Sequence, residues 1–174
     1  MSTIDDLLAA NAAFASGLDG RAASLHAAPG RHLAVLACMD ARLDIHAILG
    51  LGPGDAHVIR NAGGVATEDA IRSLIISQRL LGTRAVMLIH HTDCGMLSFR
   101  DDDLKAQIEQ ETGVRPPFAL EAFSDLEAAL RQSVNRIRLS PYLAHRDEVR
   151  GFVYDLRSGL LREVEGDLRP DAPP

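Results

Sequence analysis

Two cysteines and a histidine are the residues of this chain whose types and spacing could bind a metal ion. Cys38 and Cys94 are the only two cysteines in the 174 residues, and His91 stands three positions before Cys94. Thiolate and imidazole are good zinc ligands, and a short turn can aim residues spaced by three at one ion. Three protein ligands leave the fourth tetrahedral position for water or substrate, which is typical of catalytic zinc sites.

An acidic and a basic residue follow Cys38 at alternate positions. Cys38, Asp40 and Arg42 stand at i, i+2 and i+4, so their side chains point to one side while the chain stays extended. We therefore expect Asp40 and Arg42 to lie beside the metal and to pair with each other. Further along, the adjacent Gly63 and Gly64 would allow the backbone to approach a very small substrate closely.

Short apolar segments alternate with amphipathic segments along the chain. This pattern predicts a single α/β domain over residues 1–174, with a mainly parallel sheet of four to five strands flanked by helices. The predicted strands are 32–38, 56–60, 85–90, 149–156 and 160–164. The predicted helices are 4–18, 43–49, 68–81 with Thr67 as cap, 101–111, and a helix that a capping box at Ser124–Glu127 starts and that runs to 137. We expect residues 1–30 to form an N-terminal helix and arm, and residues 165–174 to form a loose tail.

The order of these elements brings the candidate ligands to one edge of the sheet. Cys38 ends the first predicted strand, and His91 and Cys94 come directly after the third. In open parallel sheets, binding sites gather beyond the carboxyl ends of the strands. The sequence therefore predicts that the three candidate ligands meet there.

Three separated motifs resemble the signature of the beta-class carbonic anhydrases, in the family's order and spacing. The motifs are Cys38-x-Asp40-x-Arg42, Arg60-Asn61-Ala62-Gly63-Gly64 and His91-x-x-Cys94. The resemblance runs from about residue 33 to residue 95. It implies the family's fold, a homodimer or higher homo-oligomer, and one Zn²⁺ per chain. It also implies that the substrates are CO2 and bicarbonate.

By this resemblance the chain would be a lyase that hydrates CO2 reversibly to bicarbonate and a proton, through attack of zinc-bound hydroxide. Asp40 would accept a hydrogen bond from the hydroxide, and Arg42 would keep Asp40 off the metal. The residues expected to bind substrate are Gly63, Gly64 and Gly95. The candidate proton shuttles are His46, His57 and His90.

Other interpretations of the same residues stay open at this point. Cys38 and Cys94 could form a disulfide under oxidation, in a metal-free and inactive form. The same zinc site could instead hydrolyse CS2 or COS. A zinc-binding or redox-sensing protein without turnover is a further alternative, although a simple zinc site needs neither Asp40 nor Arg42.

Charge and hydropathy restrict the partners. The net charge is −6 and the isoelectric point is near 5.6, and the arginines are scattered, so we expect no nucleic-acid partner. The longest apolar run, residues 85–89, is far below the ~18 residues that span a bilayer, so we expect no membrane contact. The acidic N-terminus lacks the features of a signal peptide. These observations predict a cytoplasmic protein.

Overall fold

A five-stranded sheet in the order β2-β1-β3-β4-β5 forms the centre of the molecule, as seen in a computed structural model that describes residues 2–18 and 20–165. The strands are β1 (Leu33–Cys38), β2 (Ala56–Asn61), β3 (Ala85–His91), β4 (Val149–Tyr154) and β5 (Leu161–Val164). Strands β1 to β4 are parallel, and only β5 runs antiparallel, against β4. The predicted mainly parallel α/β fold is confirmed.

The inner strand β1 is apolar along its whole length because both faces of the sheet are covered. Leu36 faces a core that two helices complete, with Leu74 from one and Leu130 from the other. Val35 faces the opposite core, together with Leu43. Neither face of the strand meets water, so the apolar–polar alternation of a half-exposed strand is absent.

The described part of the chain contains six α-helices, and most of them begin and end close to the predicted positions. They are α1 (Thr3–Ser16), α2 (Arg21–Ser24), α3 (Ile45–Leu49), α4 (Glu68–Leu81), α5 (Asp101–Thr112) and α6 (Leu126–Arg138). Thr67 caps α4, as predicted, by accepting a hydrogen bond from the Ala70 N–H. The first helix ends at Ser16, two residues before the predicted end, because Gly17 caps it.

The predicted cap of α6 is wrong by one residue. Asp125, and not Ser124, is the N-cap, and its carboxylate accepts a hydrogen bond of 2.9 Å from the Ala128 N–H. Aspartate caps a helix as well as serine does, so the Ser-x-x-Glu pattern did not decide between the two neighbours.

Helix α1 has no buried residue, although its sequence carries an apolar stripe. Ile4, Leu7, Leu8 and Phe14 each expose between 62% and 68% of their surface. The stripe therefore lies uncovered in the single chain, which bears on the oligomeric state considered below.

The predicted tail at 165–174 lies, apart from Glu165, outside the described residues. Within the described ranges, no helix combines the length and the apolar character needed to cross a bilayer.

Candidate metal centre

The three candidate ligands converge where β1 and β3 end. Cys38 is the last residue of β1, His91 is the last of β3, and Cys94 follows in the turn after β3. All three are buried, and their ligand atoms lie within 4.8 Å of one another. Neighbouring parallel strands bring together two sequence segments that stand more than fifty residues apart.

The distance between the two sulfurs fits a pair of metal ligands. Cys38 Sγ and Cys94 Sγ are 3.9 Å apart, and both thiols are free. Two sulfurs bound to one tetrahedral zinc at ~2.3 Å lie about 3.8 Å from each other. A disulfide would need ~2.05 Å. The described conformation is therefore that of a metal site and not of a disulfide.

The imidazole of His91 presents a free nitrogen to the same place. Its Nδ1–H donates a hydrogen bond of 2.9 Å to the Thr92 carbonyl oxygen, which can only accept. The lone pair therefore lies on Nε2, which is buried and without a hydrogen-bond partner. Such an orphaned atom costs about 1–3 kcal/mol, and binding a metal ion would satisfy it. The donor set of two sulfurs and one imidazole fits Zn²⁺.

One of the two thiols, that of Cys38, is shifted toward the charged state that a metal needs. A hydrogen bond from Cys94 lowers the pKa of the Cys38 thiol, and the same bond raises the pKa of Cys94, its donor. This hydrogen bond favours the thiolate at Cys38, and a coordinated ion would favour the thiolate at Cys94 as well.

The predicted pairing of Asp40 with Arg42 is present beside these ligands. Arg42 Nε lies 2.9 Å from Asp40 Oδ1 and Nη2 lies 2.7 Å from Oδ2, so the contact is bidentate. These hydrogen bonds hold the pKa of the Asp40 carboxyl well below its ordinary value, so Asp40 is ionised. Asp40 Oδ2 is 3.6 Å from His91 Nε2, at the edge of the ligand cluster.

Asp93, which the sequence analysis did not single out, holds the other side of the Arg42 guanidinium. Its Oδ2 accepts a hydrogen bond of 2.8 Å from Nη1, and its backbone oxygen accepts one of 2.9 Å from Nη2. The sequence feature that could have indicated this role is the position of Asp93 between two ligands, in the His-x-x-Cys turn.

Arg60 is a second residue that the sequence analysis left without a role. Its Nε donates to the Cys38 carbonyl at 3.0 Å, and its Nη2 donates to the Asp40 carbonyl at 2.7 Å. Arg60 thus fixes, from the end of β2, the backbone that carries both a ligand and the acidic residue. The sequence feature that could have indicated this role is the place of Arg60 at the start of the Arg-Asn-Ala-Gly-Gly motif.

The glycines predicted to bind substrate have different surroundings. Gly64 has φ +69°, and a Cβ there would lie 2.8 Å from the Cys38 backbone nitrogen. Gly63 has φ +79°, and a Cβ there would lie 3.0 Å from the Phe123 ring. Gly95 faces open space. Close packing thus explains the first two glycines, and only Gly95 leaves room beside the ligands.

Replacing Gly64 with alanine should lower the free energy of unfolding by about 2–5 kcal/mol. The positive φ costs about 1–2 kcal/mol, and the clash with the end of β1 adds about 1–3 kcal/mol. Gly113→Ala is the matched control because Gly113 has φ +78° with open space around it, so it carries the conformational cost alone. Urea unfolding of both variants measures the difference, and equal losses would show that the contact with β1 is unimportant.

Two of the three candidate shuttles are engaged in structural contacts. His90 is buried and stacks on Phe123 at 5.6 Å, and burial lowers its pKa to about 4. His57 contacts Ser77 Oγ at 2.8 Å through Nδ1. His46 is exposed on α3.

Asp101 fixes the segment that closes over the ligands, which sequence reasoning also missed. Its carboxylate accepts three backbone hydrogen bonds, from the N–H groups of Leu120, Glu121 and Ala122. The next residue, Phe123, packs in the apolar cluster around the two cysteines. The start of α5 thus positions one wall of the site.

The fold and the site define a parallel α/β protein with a Cys-His-Cys metal centre at the carboxyl edge of its sheet. Residues 33–115 match the sequence model of the family described as "Carbonic anhydrase". A protein named "Beta-carbonic anhydrase 1" from Mycobacterium tuberculosis is 52% identical over 164 residues, which cover 94% of this chain and 99% of that protein. The chain belongs to the beta-carbonic anhydrase family, which confirms the resemblance of its motifs.

A structural relative and a functionally different relative complete the comparison. The crystal structure of carbonic anhydrase from Streptococcus mutans superimposes with a TM-score of 0.85 at 36% identity, covering 95% of this chain and 99% of that one. A "Carbon disulfide hydrolase" from Acidianus sp. is 33% identical over 158 residues, covering 76% of this chain and 77% of that protein. The two activities therefore occur among relatives of this chain.

Proposed function

We propose that this chain is a zinc-dependent carbonic anhydrase that hydrates CO2 reversibly to bicarbonate and a proton. The observation that carries the proposal is the buried cluster of Cys38, His91 and Cys94, with an unsatisfied His91 Nε2, beside the clamped carboxylate of Asp40. The 52% identity to a beta-carbonic anhydrase supports it.

Cys38 Sγ, His91 Nε2 and Cys94 Sγ would hold the metal. When bound there, Zn²⁺ supplies Lewis acidity that lowers the pKa of a water molecule and so makes a nucleophile near neutral pH. The two thiolates balance the charge of the ion, so this chain needs a further group to direct the nucleophile. Asp40 is the ionised group closest to that position, with Oδ2 3.6 Å from His91 Nε2.

Asp40 would orient the attacking oxygen by accepting a hydrogen bond from it. Arg42 donates three hydrogen bonds to the Asp40 carboxylate, two to Oδ1 and one to Oδ2. Each carboxylate oxygen can accept more than one hydrogen bond, so Oδ2 has capacity left. Arg42 would also prevent Asp40 from binding the metal itself, since carboxylate oxygen is a zinc ligand. Catalysis thus depends on Asp40 being near the metal and restrained from reaching it.

An apolar wall next to the ligands suits a small uncharged substrate. The residues that pack in the cluster with the two cysteines are Ala62, Met96, Phe99, Ala122 and Phe123. CO2 has no net charge and loses little by leaving water. Of the three glycines, we propose that Gly95 contributes open space for substrate, and that Gly63 and Gly64 bring the backbone close to it.

The experiment is a stopped-flow measurement of CO2 hydration by the zinc-loaded protein, with zinc content determined on the same sample. CS2 and COS hydrolysis, followed by sulfide release, are measured in parallel, because the 33% identical relative favours CS2 as the second candidate substrate. We expect CO2 hydration to dominate. Sulfide release without CO2 hydration would select the second candidate, and no turnover with one zinc per chain would refute both.

The proposal includes a homodimer or higher homo-oligomer in the cytoplasm. The uncovered apolar stripe of α1 supports it, because four large side chains exposed together on one helix are costly in water unless a partner covers them. The molar mass of the protein in solution tests it, and a monomer would contradict it.

A further inference from the structure

We propose that Asp93 is a positioning residue for the reaction, which holds the Arg42 guanidinium in the orientation that restrains Asp40. The inference rests on the proposed function, since it assigns a task to a residue next to the same site. Asp93 does not bind the metal in this assignment; it acts only through Arg42.

The guanidinium of Arg42 is held on two sides at once. Its Nε and Nη2 donate to the Asp40 carboxylate, at 2.9 and 2.7 Å. Its Nη1 donates to Asp93 Oδ2 at 2.8 Å, and Nη2 also donates to the Asp93 backbone oxygen at 2.9 Å. A planar group fixed along two edges cannot rotate without breaking a charge-assisted hydrogen bond.

Without the Asp93 carboxylate, the Arg42 guanidinium would keep its bonds to Asp40 and one bond to the Asp93 backbone oxygen, and Nη1 would lose its partner. The Arg42 side chain is 48% exposed, so water competes for its donors. Asp40 and Arg42 belong to one short turn, and a contact within one turn does not fix that turn relative to the rest of the site. The bond from Asp93 ties this turn to the one that carries His91 and Cys94.

The backbone of Asp93 is left-handed at the point where the residue contacts Arg42. Asp93 has φ +57°, which is uncommon for residues other than glycine and is tolerated best by Asn and Asp. Among the described residues, Arg42 is the only partner of its carboxylate, which is 82% exposed. An exposed carboxylate can be fully hydrated by water, so the turn does not need the pairing with Arg42 for its own solvation.

The test compares Asp93→Gly with Asp93→Asn, each loaded with one metal ion per chain. Glycine keeps the positive φ and removes only the carboxylate, whereas asparagine keeps the φ and an oxygen that can accept from Nη1. We expect Asp93→Gly to lower kcat/KM for CO2 hydration about twofold to fivefold, the range that an exposed ion pair supports. We expect Asp93→Asn to restore most of this loss.

The second readout is the visible absorption spectrum of the cobalt-substituted protein, which reports the ligand set directly. In Asp93→Gly we expect it to move toward the spectrum of Arg42→Ala, because Asp40 would spend more time on the metal. Asp69→Asn is the control, since Asp69 also pairs with an exposed arginine, Arg72, on α4 and away from the site.

Three results would overturn the proposal. They are an Asp93→Gly protein that matches Asp69→Asn in both readouts, an Asp93→Gly protein that no longer retains metal, and a failure of Asp93→Asn to rescue. If the wild-type protein shows no CO2 hydration, the proposed function fails, and the cobalt spectra still decide the task of Asp93.

Discussion

Replacing Arg42 with alanine is expected to lower kcat/KM for CO2 hydration about a hundredfold or more while zinc stays at one per chain. Arg42 makes a bidentate, charge-assisted contact with Asp40, and such contacts are about twice as strong as neutral hydrogen bonds. Once it is gone, the Asp40 carboxylate is free to move from 3.6 Å off His91 Nε2 into the fourth ligand position. Steady-state kinetics and metal analysis on the same sample measure both quantities.

Two further variants show whether the geometry of the clamp matters. Arg42→Lys keeps the positive charge but cannot form two parallel hydrogen bonds, so its activity should fall between wild type and Arg42→Ala. Arg72→Ala removes an arginine from an exposed i, i+3 pair far from the ligands and should have full activity. Full activity in Arg42→Ala would exclude the clamp as part of the mechanism.

Replacing Cys94 with serine is expected to remove stoichiometric zinc. Altering a residue that only supports a metal ligand already costs about 10–100-fold in metal affinity, so loss of a ligand sulfur should exceed about a hundredfold. Stability should fall too, because His91 Nε2 would keep its unsatisfied state. Metal analysis after dialysis and thermal unfolding with and without added zinc measure the two effects.

The control for this variant is Met96→Leu, which changes a buried neighbour in the same apolar cluster and keeps all three ligands. It should retain one zinc per chain. A Cys94→Ser protein that binds zinc as tightly as this control would remove Cys94 from the ligand set, and with it the proposed site.

The sequence was sufficient to predict the strands and the meeting of the ligands, for a simple physical reason. The apolar runs of β1 and β3 mark buried parallel strands, and parallel strands end at the same edge. Cys38 and His91 stand at those ends, so their proximity follows from the order of elements alone. The pairing of Asp40 with Arg42 was equally local, because the residues stand only two positions apart. It forms in a turn and not in the extended chain that was expected.

The parts that were missed depend on contacts between turns that sequence patterns do not encode. Asp93 contacts Arg42 from a turn in which its φ is positive, and Arg60 reaches the carbonyls of Cys38 and Asp40 from a neighbouring strand. The uncovered stripe of α1 has a similar origin. Amphipathic periodicity predicts that a helix must be covered, but it does not say whether the cover comes from the same chain.

The strand order of the sheet explains how the substrate of this fold can change without loss of its stability. In the order β2-β1-β3-β4, the chain goes from β1 to one neighbour and later returns to β1's other side, so β1 and β3 form a topological switch point. The loops after these two strands diverge there. The ends of the strands carry Cys38 and His91, and the loops carry Cys94, Asp40, Arg42 and Asp93. Substrate preference can therefore evolve in a few loop residues while the sheet and its two cores stay unaltered, as relatives acting on CO2 and on CS2 suggest.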